Sequence, residues 1–213
     1  GDWSSDVCSS DLHHGHRRLL AASDARRRYL PHAGAQRGLE LLLGFRLVGF
    51  ELISALSLEL VLRHFPDQAT HRPPESPWHM LVEICDEEPG PAARIRLEDG
   101  LAEALSAGTI RDAVVADSDA QATGLWALRE RVSDAQAREG RNVKHDVSVP
   151  VSAIPAFVEE TGASLDRAYP GARVVCFGPL GDGNLHYNVS APRGVDAAAF
   201  LVQRGDINRL VHD

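Results

Sequence analysis

Cysteine is scarce in this chain and widely scattered: Cys8, Cys85 and Cys176 share no Cys-x-x-Cys spacing. Cys85 and Cys176 sit in apolar, strand-like runs, which points to buried thiols in a reducing compartment rather than to disulfides. Long apolar runs are lacking too, since no stretch approaches the ~18–20 residues of a membrane-spanning helix. The N-terminus does not have the basic-then-apolar order of a secretory signal. These absences set the expectation of a cytoplasmic protein with no membrane span. Positive charge is also in short supply. A net charge of −8 gives no electrostatic reason to expect nucleic acid or an anionic membrane as a partner. What the chain does have is apolar mass: 213 residues, 44% of them hydrophobic, can bury one good core, or one core and a tail.

Residues 1–45 do not share the pattern of the rest. Gly1 to Leu12 has no useful periodicity and resembles translated adapter sequence. His13-His14-Gly15-His16 mimics a metal-binding tract, but clustered His and Arg, as in Arg26-Arg27-Arg28, also arise from a wrongly framed GC-rich reading. This leader is expected to be non-native or disordered, an irregular segment with no functional role. Residues 46–213 are expected to form the structured part.

There the pattern becomes regular. Phe50 to Ile53 reads as a strand, and Ser54 to Phe65 as a helix ended by Pro66. A proline-rich loop over 67–77 leads to a strand at 80–85. A helix over 91–107 ends at Gly108, and a short strand follows at 113–116. Asp117-Ser118-Asp119 supplies capping oxygens for a long helix running to about Glu139. A strand at 142–149, a helix at 152–169, a hairpin at 173–190 and a helix at 195–211 complete the chain. This rhythm fits either an α+β or an α/β arrangement.

The hairpin is the most informative stretch. Val174 to Phe177 reads as a strand buried on both faces, and the turn that follows is rich in Gly and Asp, with Gly181 and Gly183 free to take positive φ. In the second strand Leu185, Tyr187 and Val189 point one way, and Asn184, His186 and Asn188 the other. Three polar groups on one face suit the floor of a site better than a core. The run from Phe177 to Val189 resembles the Gly-His-x-Gly-Asp-Gly-Asn-x-His-x-Asn signature of the FAD-linked oxidase C-terminal domain, the family of the D-2-hydroxyglutarate, D-lactate and glycolate dehydrogenases. One position departs: the first His of that signature is Pro179 here. The resemblance implies an α+β fold, a mostly antiparallel sheet with helices packed on one side in a ferredoxin-like arrangement.

Two other stretches carry candidate chemistry. Arg129 and Ser133 stand four apart on the predicted helix, so both can touch one ligand, and an Arg fork suits a carboxylate. A solvated surface Arg is the plainer reading of the same spacing. In the strand at 142–149, Lys144, Asp146 and Ser148 share a face that is either solvated or part of a cleft, while His145 falls on the apolar side and is taken as a core histidine. The resemblance assigns substrate binding to Arg129, Ser133, Lys144 and Asn188. It also makes His186 a ligand to a divalent metal, commonly zinc, with Pro179 unable to serve as a second. A phosphate-cradling role for the Gly-Asp-Gly turn is disfavoured, because such loops lead into a helix and this one leads into a strand.

The resemblance implies a flavin-dependent D-2-hydroxy-acid dehydrogenase that passes hydride from the substrate to FAD, with an acceptor such as an electron-transfer flavoprotein. It places the FAD-binding domain before this segment and an Ala-Glu-His-Gly run after it. The chain is therefore expected to be a fragment, inactive alone, with an incomplete metal site. The competing expectation is a non-catalytic α+β module that binds small carboxylates.

Overall fold

The computed structural model describes residues 17–23, 46–71, 73, 75–85 and 92–213. Its strands are β1 (Arg17–Ser23), β2 (Arg46–Ser54), β3 (Trp78–Cys85), β4 (Asp112–Val115), β5 (Asn142–Val143), β6 (Asp146–Ser148), β7 (Arg173–Pro179) and β8 (Asn184–Ser190). They form one sheet in the order β4-β1-β3-β2-β7-β8-β5, with β6 also on β8, and every pairing is antiparallel. The helices are α1 (Ala55–His64), α2 (Ala92–Ser106), α3 (Asp119–Glu130), α4 (Val132–Arg138), α5 (Ile154–Ala168), α6 (Ala197–Leu201) and α7 (Arg204–His212).

The expected antiparallel α+β architecture is what the chain adopts. The placement of the helices on one side is corrected. Side chains alternate along each strand, and here both sides of the alternation are apolar. Leu52, Val82, Cys176, Leu185 and Tyr187 join Leu97 of α2, Ile154 and Leu165 of α5 and Ile207 of α7 in one core. Ile53, Leu81, Val175 and Phe177 join Leu60 of α1, Leu125 of α3 and Ala135 of α4 in another. A sheet with two apolar faces needs two helical layers to cover it.

The irregular leader has one exception. Residues 17–23 make β1, which lies between β3 and β4 and pairs with both. The His13-His14-Gly15-His16 and Arg26-Arg27-Arg28 tracts lie outside the described residues.

Three predicted elements are interrupted. The helix over 118–139 breaks at Arg131, whose side chain turns to Asp67 and lies over the Phe65 ring. Ser118 caps its start by accepting from the Gln121 amide, as the sequence predicts. The helix over 195–211 breaks between α6 and α7 at Val202 and Gln203. The strand over 142–149 splits because His145 replaces a ladder bond. Its amide donates to the Asn188 side chain, and its ring Nδ1–H donates to the Tyr187 carbonyl at 2.8 Å. The register is unchanged across the gap, so β5 and β6 are one strand with a single side-chain splice.

In the hairpin, positive φ falls at Gly178 and Gly183 rather than at Gly181. The β7–β8 ladder ends at Phe177↔His186, two residues before Pro179, whereas on the other edge of β7 Pro179 lies opposite Glu51 of β2. Two buried serines then tie α1 to β7: Ser54 Oγ accepts from the Cys176 amide and Ser57 Oγ donates to the Cys176 carbonyl.

Candidate functional site

Strand register builds a row of side chains on the face that carries α3 and α4. Glu51 of β2 lies opposite Pro179 of β7, Phe177 of β7 opposite His186 of β8, and His186 opposite Asp146 of β6. Because residues two apart on a strand share a face, all five point the same way. Arg129 descends onto this row from the last turn of α3. Its Nε donates to Glu51 Oε2 at 2.6 Å, and its guanidinium carbon sits 4.8 Å from the centre of the Phe177 ring. The His186 ring centre lies 4.7 Å from that of the same Phe177 ring, and His186 Nδ1 meets Asp146 Oδ1 at 2.5 Å. Phe177 thus links a cation and an imidazole, each held from behind by a carboxylate.

Burial grades along the row. Arg129 and Glu51 keep only 17% and 13% of their side-chain surface, so their attraction is weakly screened by water. His186 and Asp146, at 37% and 77%, open to solvent. The arrangement can present a guanidinium fork and an imidazole edge to a small polar ligand approaching from the exposed end.

The other residues selected from sequence are placed as follows. Ser133 is exposed on α4, one turn beyond Arg129 and across the break at Arg131. Lys144 is exposed in the gap between β5 and β6, on the same face as Asp146. Asn188 shares the face but is buried. Its Oδ1 accepts from the His145 amide and its Nδ2 donates to Gln136 Oε1 of α4 at 2.8 Å, so it braces β8 against α4 rather than reaching solvent. His145 is the expected core histidine: 3% exposed, with Nε2 3.0 Å from the Asn208 side-chain amide and its pKa pushed down by burial, which keeps the ring neutral.

Sequence reading did not select Glu51, Asp146, Phe177 or Gln136 as site partners. Glu51 carried one signal, a lone charge within the apolar run Phe50-Leu52-Ile53. A cavity of about 720 Å³ lies elsewhere, beside α1, lined by Glu59, Arg63, His79 and Arg111 among others, and none of the residues selected from sequence lines it. His79 there is buried and its pKa is pushed down to about 4, so it stays neutral.

The described residues do not fit a three-ligand zinc centre. Among them no three His, Cys, Asp or Glu side chains are grouped to hold a metal, and the Nδ1 side of His186 is taken by Asp146. They offer no phosphate cradle for a flavin dinucleotide in the Gly-Asp-Gly turn either. The Gly183 amide donates to Leu180 within the turn, and the space in front of the Gly183 Cα is filled by the Val149 carbonyl.

The family model described as FAD linked oxidases, C-terminal domain, matches residues 43–204. The chain is 39% identical over 171 residues to a D-2-hydroxyglutarate dehydrogenase of Xanthomonas citri pv. viticola, a match covering 78% of this chain and 34% of that protein. It is 37% identical over 150 residues to the mitochondrial D-2-hydroxyglutarate dehydrogenase of Rattus norvegicus, covering 70% and 27%. For the D-2-hydroxyglutarate dehydrogenase of Stutzerimonas stutzeri the figures are 31% over 169 residues, 78% and 35%. The chain spans about a third of the length of the curated relatives it matches. With the family model covering most of the chain, and with the motif that carries the resemblance forming the β7–β8 hairpin of the site, the chain belongs to the family of FAD-linked oxidases, as a C-terminal domain of that family.

Proposed function

We propose that this chain is the substrate-side part of an FAD-dependent dehydrogenase that oxidises a D-2-hydroxy acid, of the D-2-hydroxyglutarate type, to the 2-oxo acid. The observation that carries this reading is Arg129, held over Phe177 by its bond to Glu51 and standing on the same sheet face as the His186–Asp146 pair. A planar guanidinium with its charge barely screened is suited to a carboxylate, which it meets with two parallel hydrogen bonds. Ser133 and Lys144 add a hydroxyl and a second cation at the exposed rim, enough to engage the other end of a dicarboxylic hydroxy acid. Asn188 contributes indirectly, by fixing β8 to α4. FAD is the family's cofactor; what the described residues supply is binding and orientation of the substrate. An acceptor such as an electron-transfer flavoprotein and a cytoplasmic setting belong to the same reading.

Titration of the chain with D-2-hydroxyglutarate by calorimetry is the test. Arg129→Lys keeps a cation beside Glu51 but removes the fork, and truncating a partly buried charged contact costs ~2–5 kcal/mol, so affinity should fall at least about tenfold. Unchanged affinity in that variant would remove Arg129 from the site and the reading with it.

A further inference from the structure

An arginine can receive a carboxylate along its Nε–Nη edge or end-on, between Nη1 and Nη2. In this chain the first option is closed, because Nε already donates to Glu51 Oε2 at 2.6 Å. Phe177 lies beneath the guanidinium, with the ring centre 4.8 Å from its central carbon, and blocks movement toward the sheet. Rotation about the long side chain, the usual freedom of an arginine, is therefore restricted on two sides, and the terminal pair of nitrogens is what remains for a ligand.

Stability alone does not account for this arrangement. A largely buried ion pair gains little over an apolar pair of similar size, since both charges lose their water. Glu51 also interrupts an apolar run of β2, where Phe50, Leu52 and Ile53 are all buried. We infer that Glu51 is the positioning residue for Arg129: by holding Nε–H, it aims the Nη1–Nη2 end of the guanidinium at the carboxylate of the ligand. This deepens the reading of Arg129 as the carboxylate contact and rests on it. Glu51 acts through its hydrogen bond. Its negative charge, set at the Nε side, faces away from the incoming carboxylate and works slightly against binding.

The hydrogen bond and the charge can be separated. Glu51→Gln keeps an acceptor for Nε–H and removes the charge, whereas Glu51→Ala removes both. In calorimetric titrations of the full chain with D-2-hydroxyglutarate, run where circular dichroism shows each variant folded, Glu51→Ala should bind at least about tenfold more weakly, one hydrogen bond to a charged group being worth ~1.5–3 kcal/mol. Glu51→Gln should stay within about threefold of the unaltered chain, a rescue that a purely structural ion pair would not give. Equal or tighter binding by Glu51→Ala would overturn the inference and make Glu51 a bystander or a competitor. Equal weakening in both variants would also overturn it, because the charge and not the hydrogen bond would then be at work. Loss of binding in Arg129→Lys together with unchanged binding in Glu51→Ala would leave the site reading standing and remove the positioning role alone. A readout without ligand covers a Glu51→Ala variant that fails to fold. The Arg129 Nε–H resonance should exchange slowly with water in the unaltered chain and in Glu51→Gln; exchange at the rate of a free arginine in both would overturn the inference.

Discussion

Gly183→Ala should be among the most damaging single substitutions in this chain, costing about 3–5 kcal/mol, a large share of the ~5–15 kcal/mol by which domains of this kind are stable. Gly183 has φ 66°, and a Cβ placed there would meet the Val149 carbonyl oxygen at 2.0 Å. That oxygen cannot yield easily, because the Val149 amide is bonded back to the Gly183 carbonyl at 3.0 Å. The contact locks the end of β6 onto the hairpin turn. Gly108 isolates the clash from the conformational cost. Its φ is 68°, nearly identical, but among the described residues nothing lies within 4 Å of the position a Cβ would take. Gly108→Ala should therefore cost only the left-handed penalty of ~1–2 kcal/mol. Urea midpoints of the two variants make the comparison. Equal losses would mean that the Val149 contact is not the constraint described.

Glu139→Gln should remove on the order of 2 kcal/mol at neutral pH, and the deficit should disappear in acid. Glu139 follows α4 and gathers three elements: Arg173 at the start of β7 at 2.8 Å, and His64 and Arg63 at the end of α1 at 2.7 and 2.9 Å. The hydrogen bond from Arg173, then those from His64 and Arg63, hold its carboxyl down at about 2 against an ordinary value of 4.5. The folded-state pKa is depressed, so the contribution to stability is fully present above about 4.5. It is lost as pH falls from there through about 2. Chemical denaturation of both proteins between pH 7 and 2 should show the stability gap narrowing across that window. A gap that persists unchanged at pH 2 would mean that Glu139 acts through packing and not through its charge. Glu59, half exposed where it meets Arg63 and Arg193, is the surface counterpart, and Glu59→Gln should cost under ~1 kcal/mol.

The parts of this fold that could be read from sequence are those governed by neighbours along the chain. The alternation from Leu185 to Val189, the cap at Ser118 and the stop at Pro66 depend on residues within one turn or one strand. The distribution of helices over two faces could not be read that way. An apolar stripe states that a helix is covered, but not which side of the sheet covers it. The splice at His145 was hidden for a similar reason: it needs the Asn188 amide, 43 residues away, to accept the bond that a strand neighbour would normally take. At the site, Arg129 was accessible through its spacing to Ser133 on the helix, and His186 through the hairpin motif. Their carboxylate partners were not, because Glu51 and Asp146 lie 78 and 40 residues away and only strand register brings them in. Asn188 shows the opposite case, a polar residue on the right face whose side chain is spent on the frame.

Lys144, exposed between β5 and β6, is the sole lysine of the sequence. An amine-reactive dye therefore has a single side-chain target, two residues from Asp146 at the solvent end of the polar row. Cys176 is buried, and burial pushes its thiol up to about 12, so a thiol reagent would leave that position untouched. Acylating that amine removes the second cation proposed for the substrate, so a weaker affinity after modification would report the part Lys144 plays in binding without any engineered residue.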